Sequence, residues 1–135
     1  MSGLVVDTSA MVAILEREPG AGWLSAQLSV ASDRIMAAAT VVELSIVLES
    51  RAPSAAGIAQ RALRDGRITI TPVDEVLTQR AIDAWRRFGK GRHPASLNFG
   101  DCFTYALAEH SGYPILCVGD DFARTDLSTL RQPKD

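Results

Sequence analysis

Four acids of this 135-residue chain, Asp7, Glu43, Asp101 and Asp121, stand where their type and setting could do chemistry. Asp7 ends the apolar run Leu4-Val5-Val6, which follows Gly3 and leads into the small polar residues Thr8 and Ser9. A β-branched run of this kind reads as a buried strand of an α/β protein, with Asp7 at its carboxyl end. Open parallel sheets bind ligands just outside that end, so an acid there is well placed for chemistry. Asp7 is equally well placed to cap the helix starting near Ser9, and the sequence leaves both roles open.

Glu43 lies in a stretch, Thr40 to Ser50, whose spacing predicts a helix. At about 100° per residue, Val47 falls about 40° to one side of Glu43 and Ile46 about 60° to the other, whereas Glu49 lies well over 90° away. Glu43 therefore shares an apolar face, where a carboxylate must find a partner or retain its proton, unless its stem simply snorkels to the edge of the core. Asp101 follows Asn98 by three residues, the spacing of a capping box. The same position at a helix N-terminus favours the ionised acid that a metal ligand needs. Asp121 follows the strand expected over Ile115 to Val118 much as Asp7 follows the first strand; neighbouring Asp120 is the alternative, and Asp126 falls in a loop of open orientation.

If these acids converge, they repel one another. Two carboxylates ~4 Å apart oppose each other by roughly 4 kcal/mol at an effective dielectric near 20, so the cluster calls for cations or retained protons. Oxygen-only ligands point to Mg²⁺ or Mn²⁺ rather than zinc, and such ions activate water and neutralise charge as a phosphodiester is cut. A segment of opposite sign runs from Arg86 to His93 and includes Arg87, Lys90 and Arg92, with Gly89 and Gly91 interspersed. Read as a flexible basic loop, it suits a polyanion backbone, although a solvated surface loop would look the same.

The elements that must position these groups alternate between strand and helix. Helices are expected over Ala10 to Glu16, from about Trp23 to Val30, over Thr40 to Ser50, Ser54 to Arg64, Asp74 to Gly89 and Asn98 to His110. Strands are expected at Leu4 to Val6, Ile35 to Ala38, Ile68 to Thr71 and Ile115 to Val118, which predicts a mainly parallel sheet. Trp85 and Phe88 recur with Leu77, Ala81 and Ala84 at helical spacing and read as core, since a stacking platform would have to face solvent. The length fits a single domain over residues 1–135, with residues 131–135 as a loose tail. Two cysteines, Cys102 and Cys117, form no CxxC pair and read as buried thiols of a reducing, cytoplasmic setting. No signal peptide or membrane span is legible, and the net charge of −2 argues against a generally basic nucleic-acid coat.

Taken in order, Val6-Asp7-Thr8-Ser9-Ala10, Glu43, Asn98-Phe99-Gly100-Asp101-Cys102 and Gly119-Asp120-Asp121-Phe122 with Thr125-Asp126 resemble the motifs of PIN-domain ribonucleases. They are most similar to those of the VapC toxins of bacterial toxin-antitoxin pairs. The resemblance covers nearly the whole chain. It implies a three-layer α/β/α sandwich with a central, mainly parallel sheet, a homodimer, Mg²⁺- or Mn²⁺-dependent RNA cleavage, and inhibition by a VapB-like antitoxin. It further implies that Asp7, Glu43, Asp101 and Asp121 are the metal-binding and catalytic acids, that Thr8 or Ser9 supports them through a hydroxyl, and that Arg86, Arg87, Lys90 and Arg92 contact RNA. Two other readings compete. A phosphotransfer protein of haloacid-dehalogenase type needs a second Asp where Ser9 stands, and a receiver needs an acidic pair after the first strand and a Lys after the last. A non-catalytic PIN-like binding module has no need of the acids.

Overall fold

The run Gly3–Val6 forms β1, with all of its residues buried, as expected of a strand covered on both faces. The structure is a computed structural model and describes residues 3–133. The other strands are β2 (Asp33–Ala37), β3 (Thr69–Thr71), β4 (Ile115–Leu116) and β5 (Thr129–Leu130). All pair in parallel, in the order β3-β2-β1-β4-β5. Val5 stands opposite Ile35 on one side and Ile115 on the other, and Val6 opposite Leu116. β5 was not expected from sequence, because a pair of residues is too short to show an alternating pattern.

Helices cover both faces. α1 (Thr8–Leu15), α2 (Ala21–Val30), α3 (Ala38–Arg51) and α4 (Ile58–Asp65) pack in one cluster with Leu4, Val6, Met36 and Leu116. α5 (Glu75–Phe88) and α6 (Phe99–Ser111) pack in a second with Val5, Ala37, Ile115 and Cys117. The alternation of Leu4 and Val6 against Val5 is the two-residue period of a strand dividing its side chains between two cores. This is the expected α/β/α sandwich. The chain steps outward from β1 to β2 to β3 and then returns to the opposite side of β1 as β4. That reversal makes the carboxyl ends of β1 and β4 the topological switch point of the sheet.

Several expectations are corrected. The helix expected over Ser54 to Arg64 is split: Pro53–Ala55 makes one tight 3₁₀ turn, Gly57 takes a left-handed conformation (φ +80°), and α4 starts after it. Phe88 is buried, but Trp85 is 44% exposed and so is not core. The basic segment is not a free loop. Arg86, Arg87 and Phe88 complete the last turn of α5, the Lys90 N–H donates to the Leu97 carbonyl and the Leu97 N–H to the Phe88 carbonyl, and the Ala95 N–H donates to His93 Nδ1. In the expected tail, Arg131 pairs with Asp120; residues 134 and 135 lie outside the described residues.

Candidate acidic site at the sheet switch point

Asp7 leaves β1 at the switch point and is only 4% exposed. Its Oδ2 accepts from the Ser9 N–H at 3.0 Å and the Ser9 hydroxyl at 2.8 Å, so it caps α1 as well as facing the cleft. Its Oδ1 accepts from the Thr104 hydroxyl of α6 at 2.8 Å, and the Ser9 hydroxyl in turn accepts from the Val118 N–H at 3.0 Å. The end of β1 and α6 are thus tied to one carboxylate, and the segment after β4 is tied to it through the Ser9 hydroxyl. Of the two roles that the sequence left open for Asp7, the helix cap is present, and the same carboxylate lines the cleft.

Glu43 reaches the same place from α3. Its Oε1 accepts from the Thr8 hydroxyl at 2.6 Å, and its carboxylate lies directly against the Cα of Gly100, where a Cβ would collide with it. Asp101 comes from the first turn of α6, held by a reciprocal capping box: the Asp101 N–H donates to Asn98 Oδ1 at 2.9 Å, and the Asn98 N–H to Asp101 Oδ2 at 3.0 Å. Burial pushes the Asp101 carboxyl up to about 7, against the Asn98 N–H, which favours the charged form; the negative charges of Asp7, Asp121 and Glu43 add to the rise.

These side chains line a cleft of about 340 Å³ together with Thr8, Ser9, Asn98, Glu18 and Arg51. Arg51 pairs with Glu16 at 2.6 Å. Asp7, Glu43 and Asp101 therefore share one hollow. They do not close on a single point: among the described residues, no three Asp, Glu, His or Cys side chains stand close enough to hold an ion as placed. The donor chemistry nevertheless fits a hard divalent cation, since the carboxylates of Asp7, Glu43 and Asp101 line the cleft and every ligand they offer is oxygen.

The remaining acids are differently employed. Asp121 does not line the cleft, although its charge is felt at Asp101. Asp120 pairs with Arg131. Asp126 does not line the cleft and accepts from the Tyr105 hydroxyl at 2.6 Å and from Arg87 at 3.0 Å, contacts that hold its carboxyl below the usual range. Of the basic residues, Arg86 pairs with Asp83 at 3.1 Å and Arg87 with Asp126, while the Arg92 guanidinium lies 4.2 Å over the Trp85 ring. Lys90 lines an apolar groove between α5 and α6. Neither cysteine is a candidate nucleophile, because burial pushes Cys102 up to about 11 and Cys117 up to about 12.

Thr104, Thr40 and Gly100 are the site residues that sequence reasoning passed over. Thr104 stands three residues after Asp101 and Thr40 three before Glu43, so each shares a helix face with its acid. Their hydroxyls lie 3.4 Å apart. That repeated spacing was the available signal.

The sequence matches the PIN domain family over residues 4–127. It is 39% identical to ribonuclease VapC30 of Mycobacterium tuberculosis over 131 residues, covering 96% of this chain and 100% of that protein. It is 42% identical to ribonuclease VapC of Mycolicibacterium smegmatis over 128 residues, covering 94% and 99%. Among solved structures, VapC20 of Mycobacterium tuberculosis, described as a sarcin-ricin loop cleaving toxin, superposes with a TM-score of 0.75 at 17% identity, covering 95% of this chain and 98% of that one. VapBC-1 of nontypeable Haemophilus influenzae gives 0.66 at 16% identity, covering 96% and 97%. The structural likeness supports the fold and the sequence identities support the kinship: the chain belongs to the PIN-domain family, among its VapC members.

Proposed function

We propose that this protein is a metal-dependent endoribonuclease and the toxin of a toxin-antitoxin pair, inhibited by a VapB-like antitoxin. The observation that carries the reading is the meeting of Asp7, Glu43 and Asp101, drawn from β1, α3 and α6, in one cleft at the switch point. The relatives at 39% and 42% identity are named ribonucleases, and the cleft has the carboxylate character that phosphodiester hydrolysis by this family would use.

Mg²⁺ or Mn²⁺ held by Asp7, Glu43 and Asp101, with Asp121 nearby, would lower the pKa of a water and neutralise charge on the phosphate. The chain's own work is positioning. Thr104 and Ser9 fix both oxygens of Asp7, Thr8 orients Glu43, and Asn98 holds Asp101 at the helix end. Each acid is thereby fixed by a neighbour on a rigid element, which keeps the geometry preorganised. In the reaction, the water oxygen bonds to phosphorus, the bond to the leaving oxygen breaks, and a proton passes to that oxygen.

The test is RNA cleavage in vitro with Mg²⁺ or Mn²⁺, alongside growth of cells expressing the chain. Wild type should cut RNA and arrest growth, and Asp7→Asn or Asp101→Asn should lose both by at least about a hundredfold in rate. Equal cleavage by wild type and Asp7→Asn would remove the carboxylate mechanism. Mapping the 5′ ends of RNA from cells expressing each form identifies the target.

A further inference from the structure

The cleft that holds the acids has one basic residue in its lining, Arg51, set against the carboxylates of Asp7, Glu18, Glu43 and Asp101. None of the cations between Arg86 and His93 lines it. Arg51 is the last residue of α3, and Glu43, Val47 and Arg51 follow one another a turn apart along the cleft wall. Eight residues of helix separate Glu43 from Arg51 by about 12 Å. The guanidinium therefore stands beside the acids without closing on them, and its side chain is 55% exposed. Among the described residues its hydrogen bond is to Glu16, the residue that ends α1, from Nη1 to Oε1 at 2.6 Å. That pair engages one of five N–H donors and, at this exposure, adds little to stability.

Resting on the ribonuclease reading, we infer that Arg51 is a substrate-binding residue that grips a phosphate of the RNA strand flanking the bond to be cut. Charge argues for this role. A polyanion entering a cleft walled by Asp7, Glu18, Glu43 and Asp101 is repelled, and a cation held at the acids offsets that repulsion chiefly at the reacting phosphate. The next phosphate needs a cation of its own. A guanidinium suits it, because the planar fork donates two parallel N–H bonds to phosphate oxygens and stays charged at every working pH. Its distance from Glu43 along α3 gives Arg51 a flanking phosphate and no part in bond breaking. Glu16 competes for the same group: its carboxylate occupies Nη1 and repels phosphate, so RNA binding exchanges one partner of Arg51 for another. Such a contact holds the backbone and reads no base.

In an Asp7→Asn background, which prevents cleavage, binding of fluorescein-labelled oligouridylate is followed by anisotropy at fixed Mg²⁺ over a series of KCl concentrations. Arg51→Gln should raise Kd roughly tenfold and lower the slope of log Kd against log salt by about 0.7, the loss of one phosphate contact to a single strand. Arg51→Lys should recover the slope, since the charge returns, but not all of the affinity, since the fork does not. Glu16→Gln breaks the same ion pair and should tighten binding by about two- to fivefold. In cleavage-competent protein, Arg51→Gln should raise KM with kcat unchanged, because the contact is made equally before and during bond breaking. A Kd and a salt slope unaltered by Arg51→Gln overturn the contact and leave the nuclease intact. Equal weakening by Arg51→Gln and Glu16→Gln also overturns it, making the pair a brace between α1 and α3. A wild type that cleaves no RNA, while Arg51→Gln still weakens binding, removes the nuclease reading and supports the phosphate contact.

Discussion

Gly100 has no side chain to do chemistry, yet the position of Glu43 depends on it. A methyl group there would meet the Glu43 carboxylate, the mobile end of a side chain, so the acid would move and the backbone would not. Alanine is also the better helix former by about 1 kcal/mol. Gly100→Ala should therefore preserve or raise the melting temperature while lowering kcat/KM for RNA by roughly a hundredfold, the scale of an ångström's misplacement. Parallel melting curves and cleavage assays check this. Asp101 gives the complementary case. Its folded pKa is raised from 3.8 to about 7, so the folded state binds the proton more tightly than the unfolded chain. Stability linked to this group is present below pH 4, falls as pH rises from about 4 to 7, and stays low above that. In EDTA, Asp101→Asn should raise the melting temperature by about 3–6 °C at pH 8 and leave it nearly unchanged at pH 4. An equal shift at both pH values would contradict burial and repulsion as the cause. Both variants separate what the site needs from what the fold needs.

At the scale of elements, Asp126 anchors the segment after β4. Tyr105 is 1% exposed on α6, and with Arg87 on α5 it holds the Asp126 carboxylate from two helices. Residues 119–125 run between that anchor and β4, and they include Asp121. Tyr105→Phe removes a hydrogen bond to a half-exposed carboxylate and should lower stability by about 1 kcal/mol, measured as a shift in the urea midpoint. How far the elements were legible follows from their patterns. α5 and α6 were read nearly to the residue, because Asp74 and Asn98 cap them and Gly112 ends α6 in a left-handed conformation. The split before α4 was missed because Gly57 sits among alanines that are good helix formers anywhere. Trp85 was misassigned because helical spacing names a stripe without saying how wide the buried part is: Ala81 and Ala84 occupy it and the indole lies at its edge. The ion pair between Arg87 and Asp126 was not legible, because a charge run does not reveal a partner 39 residues away.

For the molecule as a whole, the sheet order brings the acids together. Asp7, Glu43 and Asp101 were recoverable from sequence because each lies at an element's end or on an apolar face, positions that local pattern exposes. Asp121 was placed by analogy with Asp7, since both follow a strand. The strands are indeed parallel neighbours, but β4 ends at Leu116, four residues before Asp120, and the chain bends through Gly119 (φ +93°) before Asp121. Distance along that bend, invisible in a motif, keeps Asp121 from the wall of the cleft. Among the described residues no helix is long and apolar enough to cross a membrane.

The hydrogen bond between Ser9 and Val118 joins positions 109 residues apart. During synthesis, the first acid therefore waits until Val118 has been made before its surroundings exist, and contacts of such separation form late. A nascent or prematurely terminated polypeptide would carry Asp7 without α6 or β4 around it. The surroundings of Asp7 are thus completed only once the segment after β4 has been made, a consequence of the connectivity of the strands.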